Sequence, residues 1–256
     1  MKRVFLFLFL TTSCFGSESI EQKIGELMER LHKDDYHIEY FADPRFKVYE
    51  NTNKLATTLN TMNYFSAKFG YFTEHSFKQS FDFLEKYQPV LEKANKKYGV
   101  EPEYITAILQ IESNFGRKTG NRIVFNSLAS MYVYNRKWMY SEIKQYISLK
   151  GILYEDPFEL KGSYAGAFGI AQALPSSYKK FGVDFNGDGK VDPYDTEDAI
   201  GFVANYLNKC GFATSQKNKK NAIFSYNRQT NYVNAIIEYS AELKRRQKEM
   251  HQATKE

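Results

Sequence analysis

The sequence predicts a mainly α-helical fold, and three observations carry that prediction. Apolar residues recur at three- and four-residue spacing from Asn60 to Tyr98, through Phe77, Phe81, Leu84, Leu91 and Ala94. A second helix reads over Gly99–Phe115, with Pro102 in its first turn and Gly116 at its stop. The composition is that of a packed chain: 43% hydrophobic, 25% charged and six prolines, which excludes a disordered polymer. At 256 residues there is material for one sizeable core with a smaller, N-terminal helical lobe beside it.

In chain order, the first element is a leader. Lys2 and Arg3 precede the apolar run Val4–Leu10, followed by small polar residues and Gly16. That order is basic, apolar, then cleavable, and the apolar run is too short to span a bilayer. Residues 1–16 are therefore expected to be a secretory signal, which implies an exported protein. Cys14, with Ser13 before it, keeps a second reading open: a lipoprotein signal whose cysteine is acylated, although Thr11 stands where leucine is usual. Under either reading Cys210 is left without a partner, which rules out a disulfide framework.

Residues 17–60 carry charge and few strong apolar periods, with Tyr36–Phe41 and Phe46–Tyr49 as candidate short extended pieces. Asn208–Asn221 reads as a connecting loop, and 244–256 as a polar tail. The formal charge of +5 would suit an anionic polymer. Much of it lies in the runs Lys217–Lys220 and Lys244–Lys248, which read most simply as solvated helix ends and loops. The 20 tyrosines suit a core and a carbohydrate cleft equally well, and tryptophan occurs once, at Trp138.

The chemistry concentrates in the helix that begins at Pro102. With successive residues about 100° apart, Tyr104, Ile105, Ala107, Ile108, Leu109, Ile111 and Phe115 form one apolar arc. Thr106, Gln110, Ser113 and Asn114 fall opposite. Glu112 follows Ile105, Ile108 and Leu109 by seven, four and three residues, so it lies inside the apolar arc. A carboxylate there loses hydration unless it is paired or protonated, and the expected response is a raised pKa suited to proton donation near neutrality. The alternative is a glutamate that snorkels to water or pairs with Arg117.

Other chemistries are set aside. The histidines show no HExxH or other zinc spacing, and there is no G-x-S-x-G elbow and no phosphate-binding glycine loop. No organic cofactor is expected. The glycine- and alanine-dense segment Gly162–Ser177 carries Ser163, Gln172 and Ser176, and reads equally as tight packing or as a cleft wall. Asp184–Asp195 matches an EF-hand calcium loop, with Asp184, Asn186 and Asp188 at positions one, three and five and Gly189 at the turn. Lys190 would offer its carbonyl and Asp192 would act through water, while Asp195 stands where glutamate is usual. A single loop of this kind argues for bracing rather than sensing.

In order, these motifs make the chain, from about Met62 to Tyr239, resemble the lytic murein transglycosylase B family. The resemblance runs through YGVEPEYITAILQIESNFGR (98–117), the long piece 160–212 and FSYNRQTNYV (224–233). It implies a lysozyme-like helical core over 61–243. The implied activity is cleavage of the β-1,4 bond between N-acetylmuramic acid and N-acetylglucosamine, leaving a 1,6-anhydro sugar. It further implies Glu112 as catalytic acid and base, with Ser163, Gln172, Tyr206, Tyr226 and Asn227 contacting substrate. The calcium set is Asp184, Asn186, Asp188, Lys190 and Asp195.

The implied partners are peptidoglycan glycan strands and cell-wall synthesis or remodelling proteins, with no nucleic acid. The implied location is the periplasm, with or without an outer-membrane lipid anchor. Two positions depart from the family: Phe115 where tryptophan or tyrosine is common, and Ala173 where an aromatic often follows the glutamine. Competing readings are a hydrolytic muramidase on the same core, a non-catalytic peptidoglycan-binding scaffold and a calcium-regulated adaptor.

Overall fold

The computed structural model describes residues 19–50, 62–66, 69–134 and 136–253. The leader, Cys14 included, lies outside them. Ten α-helices are present among the described residues.

The first, α1 (Ile20–Lys33), lies in the segment without a clear apolar period. A capping box starts it: Ser19 Oγ accepts from Gln22 N–H while the Gln22 side chain accepts from Ser19 N–H. It buries only Leu27 and Leu31, a stripe too narrow to stand out in the sequence, and packs on α5 (Val124–Val133). Tyr36–Phe41 is not extended; it leads into a 3-10 turn at Glu39–Ala42 whose Tyr40 meets Phe125 edge-on at 5.6 Å. The Asn60–Tyr98 periodicity resolves into α2 (Glu74–Lys86) and α3 (Gln88–Tyr98), which meet at Tyr87.

Helix α4 (Pro102–Ser113) is the hub, packed by α2, α3, α8 (Thr196–Lys209) and α10 (Thr230–Ala253). One expectation about it needs correction. It ends at Asn114 in the left-handed region (φ 50°) rather than at Gly116. On the side opposite its apolar arc, Thr106, Gln110 and Ser113 are all buried as well. Gln110 is accommodated by a polar seam between α2, α4 and α10, while Ser113 bonds the Ile170 carbonyl. In the seam Gln110 Nε2 donates to Ser76 Oγ at 2.8 Å, and Ser76 and Ser80 both bond the Tyr239 hydroxyl. Internal pairing of this kind lets polar side chains such as Gln110 and Ser113 be enclosed on a helix.

The only sheet among the described residues pairs β1 (Arg122–Ile123) antiparallel with β2 (Lys161–Gly162). It ties the chain after α4 to the glycine-rich segment. Between these strands lie α5 and α6 (Met139–Ile147); after β2 come α7 (Pro175–Phe181) and α8. The expected loop at Asn208–Asn221 is shorter than the composition suggested. Gly211 (φ 84°) turns the chain, a 3-10 turn follows at Phe212–Thr214, and Ser215 caps α9 (Gln216–Tyr226).

The basic runs are largely engaged. Lys219 pairs with Glu101 at 2.7 Å and lies over the rings of Tyr104 and Phe212. Residues 244–253, expected as part of a polar tail, continue α10. Arg246 bridges Glu242 on its own helix and Glu74 on α2, and Arg245 pairs with Glu242 and Glu249. Charges spaced at three and four along a helix support it where apolar contacts thin out.

Candidate active site

Glu112 sits in the last turn of α4, where the helix dipole presents its negative end and disfavours a second negative charge. The turn that follows is held firmly. Asn114 (φ 50°) and Phe115 (φ 54°) are consecutive left-handed residues, a conformation costly for a bulky side chain and maintained only by surrounding contacts. Those contacts are visible: Ser113 Oγ donates to Ile170 O at 2.6 Å and accepts from Gly116 N–H. Phe115 stacks on Phe83 with centroids 4.3 Å apart. The side chain that departs from the family pattern therefore packs against α2.

Burial pushes the Glu112 carboxyl from the ordinary carboxylate range up to about 7, and a hydrogen bond from Tyr232 opposes part of that rise. Tyr232, on α10, donates from its hydroxyl to Glu112 Oε1 at 2.7 Å. Arg117, the alternative partner, instead donates to Asn114. Tyr64 lies edge-on to Tyr232 at 5.7 Å, and Tyr71 lies 6.0 Å from Tyr64. Burial raises the phenols of Tyr64, Tyr71, Tyr226 and Tyr232, and the nearby Glu112 charge raises them further. These groups stay protonated at neutral pH, so Tyr232 acts on the carboxyl as a fixed neutral donor.

Replacing Tyr232 with Phe removes that donor. A hydrogen bond to a charged group contributes about 1.5 kcal/mol or more, so turnover is expected to drop roughly tenfold. The alkaline limb of the pH–rate profile is expected to move upward, because the lost bond had favoured the carboxylate. Both shifts are read from initial rates across pH.

Glu112 opens into a pocket of 430 Å³ shared with Phe69, Tyr71, Gln110 and Lys118. A second cleft, of 830 Å³, gathers Gln172, Tyr206, Tyr226 and Asn227, four of the five expected substrate residues. Tyr226 relates the two, since it lines the larger cleft and its phenol senses the Glu112 charge. Its hydroxyl donates to Ala171 O at 2.6 Å, and its ring meets Tyr206 at 4.8 Å. Tyr206 in turn donates to Ser225 O.

Gln172 holds a left-handed backbone (φ 47°) while its amide donates to Thr119 O and Gly169 O. Ser163 does not itself line either cavity; its hydroxyl accepts from the N–H groups of Ala165, which lines the larger cleft, and of Ala167, and shapes the glycine-rich turn. Ser176 is bound to the Glu142 carboxylate, which caps α7. Ala173 lines the larger cleft with no more than a methyl group.

The loop Asp184–Asp195 is folded on its own side chains. Asp184 accepts from the N–H groups of Gly187, Asp188 and Gly189, and Asp188 accepts from Lys190 N–H. Asp195 caps α8 through Glu197 and Asp198 N–H. Asp198, which the loop pattern does not include, is buried and accepts from Phe185, Asn186 and Asp192 N–H. The all-oxygen donor set of Asp184, Asn186, Asp188 and the Lys190 carbonyl fits a hard cation in kind. Among the described residues, however, no three Asp, Glu, His or Cys side chains are gathered as an ion would need.

A family model for the transglycosylase SLT domain matches residues 26–221, more than half of the chain, and the chain belongs to that family. The membrane-bound lytic murein transglycosylase B of Escherichia coli (strain K12) is 40% identical over 133 residues, covering 51% of this chain and 37% of that protein. The chain thus matches well under two thirds of that relative's length.

The fold is shared with solved structures. Escherichia coli lytic transglycosylase SLT35 in complex with calcium superposes with a TM-score of 0.74 at 22% identity, covering 86% of this chain and 92% of that one. Pseudomonas aeruginosa SltB3 in complex with NAG-NAM-pentapeptide gives 0.76 at 18% identity, covering 89% and 80%.

Proposed function

We propose, from that membership and from the setting of Glu112, that the chain is a peptidoglycan lytic transglycosylase. It cleaves the β-1,4 bond between N-acetylmuramic acid and N-acetylglucosamine and closes a 1,6-anhydro ring on the muramyl product. The observation that carries this reading is that Glu112 is the lone carboxyl among the described residues lining the two cavities. Most glycosidases use two carboxylates, about 5 to 9.5 Å apart, because water or an enzyme nucleophile must be activated on the far side of the sugar. Ring closure needs one, since the muramyl O6 hydroxyl replaces water.

With a pKa of about 7, Glu112 is substantially protonated at neutrality and donates its proton to the glycosidic oxygen as that bond breaks. The resulting carboxylate, steadied by Tyr232, then accepts the O6 proton as O6 bonds to C1. Gln172, Tyr206, Tyr226 and Asn227 orient the strand, which concentrates the reacting atoms. The same reading extends to the SltB3 structure's NAG-NAM-pentapeptide as a model of the substrate class. Digestion of purified peptidoglycan, with products read by mass, tests it: anhydro-muramyl ends are expected, and reducing ends would favour the hydrolytic reading.

Asp184, Asn186, Asp188 and the Lys190 carbonyl would hold calcium, as the SLT35 complex suggests, with Asp195 released from its cap to join them. When bound, the ion would cross-link the loop that carries Phe185 and Pro193 against α8 and the glycine-rich segment. Saturating calcium at about 100 times Kd contributes about 2.7 kcal/mol, so the melting temperature is expected to rise by roughly 5 °C or more. Asp184→Ala should abolish that rise while leaving turnover of the calcium-free protein little changed. Export follows from the leader, and the acylated or cleaved fate of Cys14 is read from the mass of the mature N-terminus. No helix among the described residues is long and apolar enough to cross a membrane.

A further inference from the structure

Trp138 is the sole tryptophan of the chain, and 54% of its surface is exposed. A single exposed aromatic is ordinarily unremarked surface. This one is different in its position: it lines the 830 Å³ cleft beside Gln172, Ala173, Tyr206, Tyr226 and Asn227. Its backbone caps α6, and the next residue, Met139, is buried at 1% exposure, so the indole projects from an anchored helix start.

The other aromatic groups of the cleft are already engaged. Tyr206 and Tyr226 pack on each other, and their hydroxyls are bonded to Ser225 O and Ala171 O. Phe202 is buried at 2% exposure, and Ala173 offers only a methyl group. Among the described residues Trp138 packs on no other ring, which makes its face the free aromatic surface of the cleft.

A pyranose ring has an apolar face of axial C–H groups and a rim of hydroxyl and acetamido groups. A flat, electron-rich indole face complements the first, and amide and guanidinium side chains complement the second. The cleft presents both together, with Gln172, Asn227, Arg228 and Gln229 beside Trp138.

We propose that Trp138 is a substrate-binding and specificity-determining residue, a stacking platform for one N-acetylated sugar ring of the glycan strand. The proposal rests on the glycan-cleaving reading above. It assigns Trp138 to binding of a ring in the large cleft, away from proton transfer at Glu112.

The lone tryptophan makes the test direct, because emission excited selectively above the tyrosine band comes from this residue alone. The Glu112→Gln variant, which retains the cleft, is titrated with a GlcNAc–MurNAc oligosaccharide while calorimetry follows binding independently. A saturable change in tryptophan emission is expected, with a midpoint equal to the calorimetric Kd. In the active enzyme, Trp138→Ala is expected to raise KM about five- to tenfold with kcat little changed, and Trp138→Phe to recover most of the loss. Calorimetric binding with unaltered emission, or an unaltered KM in Trp138→Ala, would overturn the platform and leave the glycan-cleaving reading standing. Absence of any calorimetric binding would overturn both.

Discussion

Glu112→Gln is expected to fold, to bind glycan and to lose turnover by roughly 10³- to 10⁴-fold, since one side chain supplies both the acid and the base. The amide keeps the shape of the carboxyl and still accepts from Tyr232, but it can neither deliver nor take the proton. The same variant should be the more stable protein above neutrality. The wild-type carboxyl titrates near 4.5 when unfolded and at about 7 when folded. Between those values the folded state binds the extra proton, so wild-type stability falls as pH rises through that window. The full penalty, reached above about pH 7, is about 3 kcal/mol.

Melting curves of the two proteins should therefore converge near pH 4.5 and separate towards pH 8, with the variant higher. Wild-type activity should fall with a single ionisation as pH rises through about 7. Parallel melting curves across pH would mean that Glu112 is not held protonated by its surroundings.

Gly169→Ala is expected to produce a large loss of stability beside the site. Gly169 has φ 73°, and a Cβ there would lie 2.3 Å from the Tyr178 hydroxyl and 2.5 Å from Pro193 O. Neither neighbour is free to retreat. Tyr178 donates to Phe168 O, and Pro193 O accepts from Ile170 N–H. Left-handed strain and overpacking together cost about 3 to 5 kcal/mol, a fall in melting temperature on the order of 10 °C. The chemistry should suffer as well, because Gly169 O accepts from both the backbone N–H and the side-chain amide of Gln172. Thermal melts and turnover of the folded fraction give the two readouts, and an unchanged melt would contradict this packing.

Much of this was legible in the sequence for local reasons. The placement of Glu112 on a core face follows from residues three, four and seven positions before it. Helical spacing alone left its role open, and the ordered family motifs narrowed it. What supports the carboxyl was not legible: Tyr232 stands 120 positions away and reaches Glu112 only because α10 packs on α4. Tyr64 and Tyr71 come from an irregular segment with no periodicity to announce them.

The buried polar side of α4 was hidden for the same reason, since its partners Ser76, Ser80 and Tyr239 belong to two other helices. Asp198 fell outside a loop pattern that counts ligands but not the buried carboxylate bracing the loop from behind. Helix α1 and the end of α10 were obscured by charge. In each, ion pairs or a cap and two leucines replace the broad apolar stripe that sequence reading looks for.

The chemistry proposed for Glu112 breaks the glycosidic bond with one carboxyl and without water. Digestion of peptidoglycan in heavy-oxygen water measures it in a single step. The muramyl products are expected to carry no heavy oxygen and to be lighter than the hydrolysed product by one water. Stoichiometric heavy oxygen at the new muramyl end would contradict it.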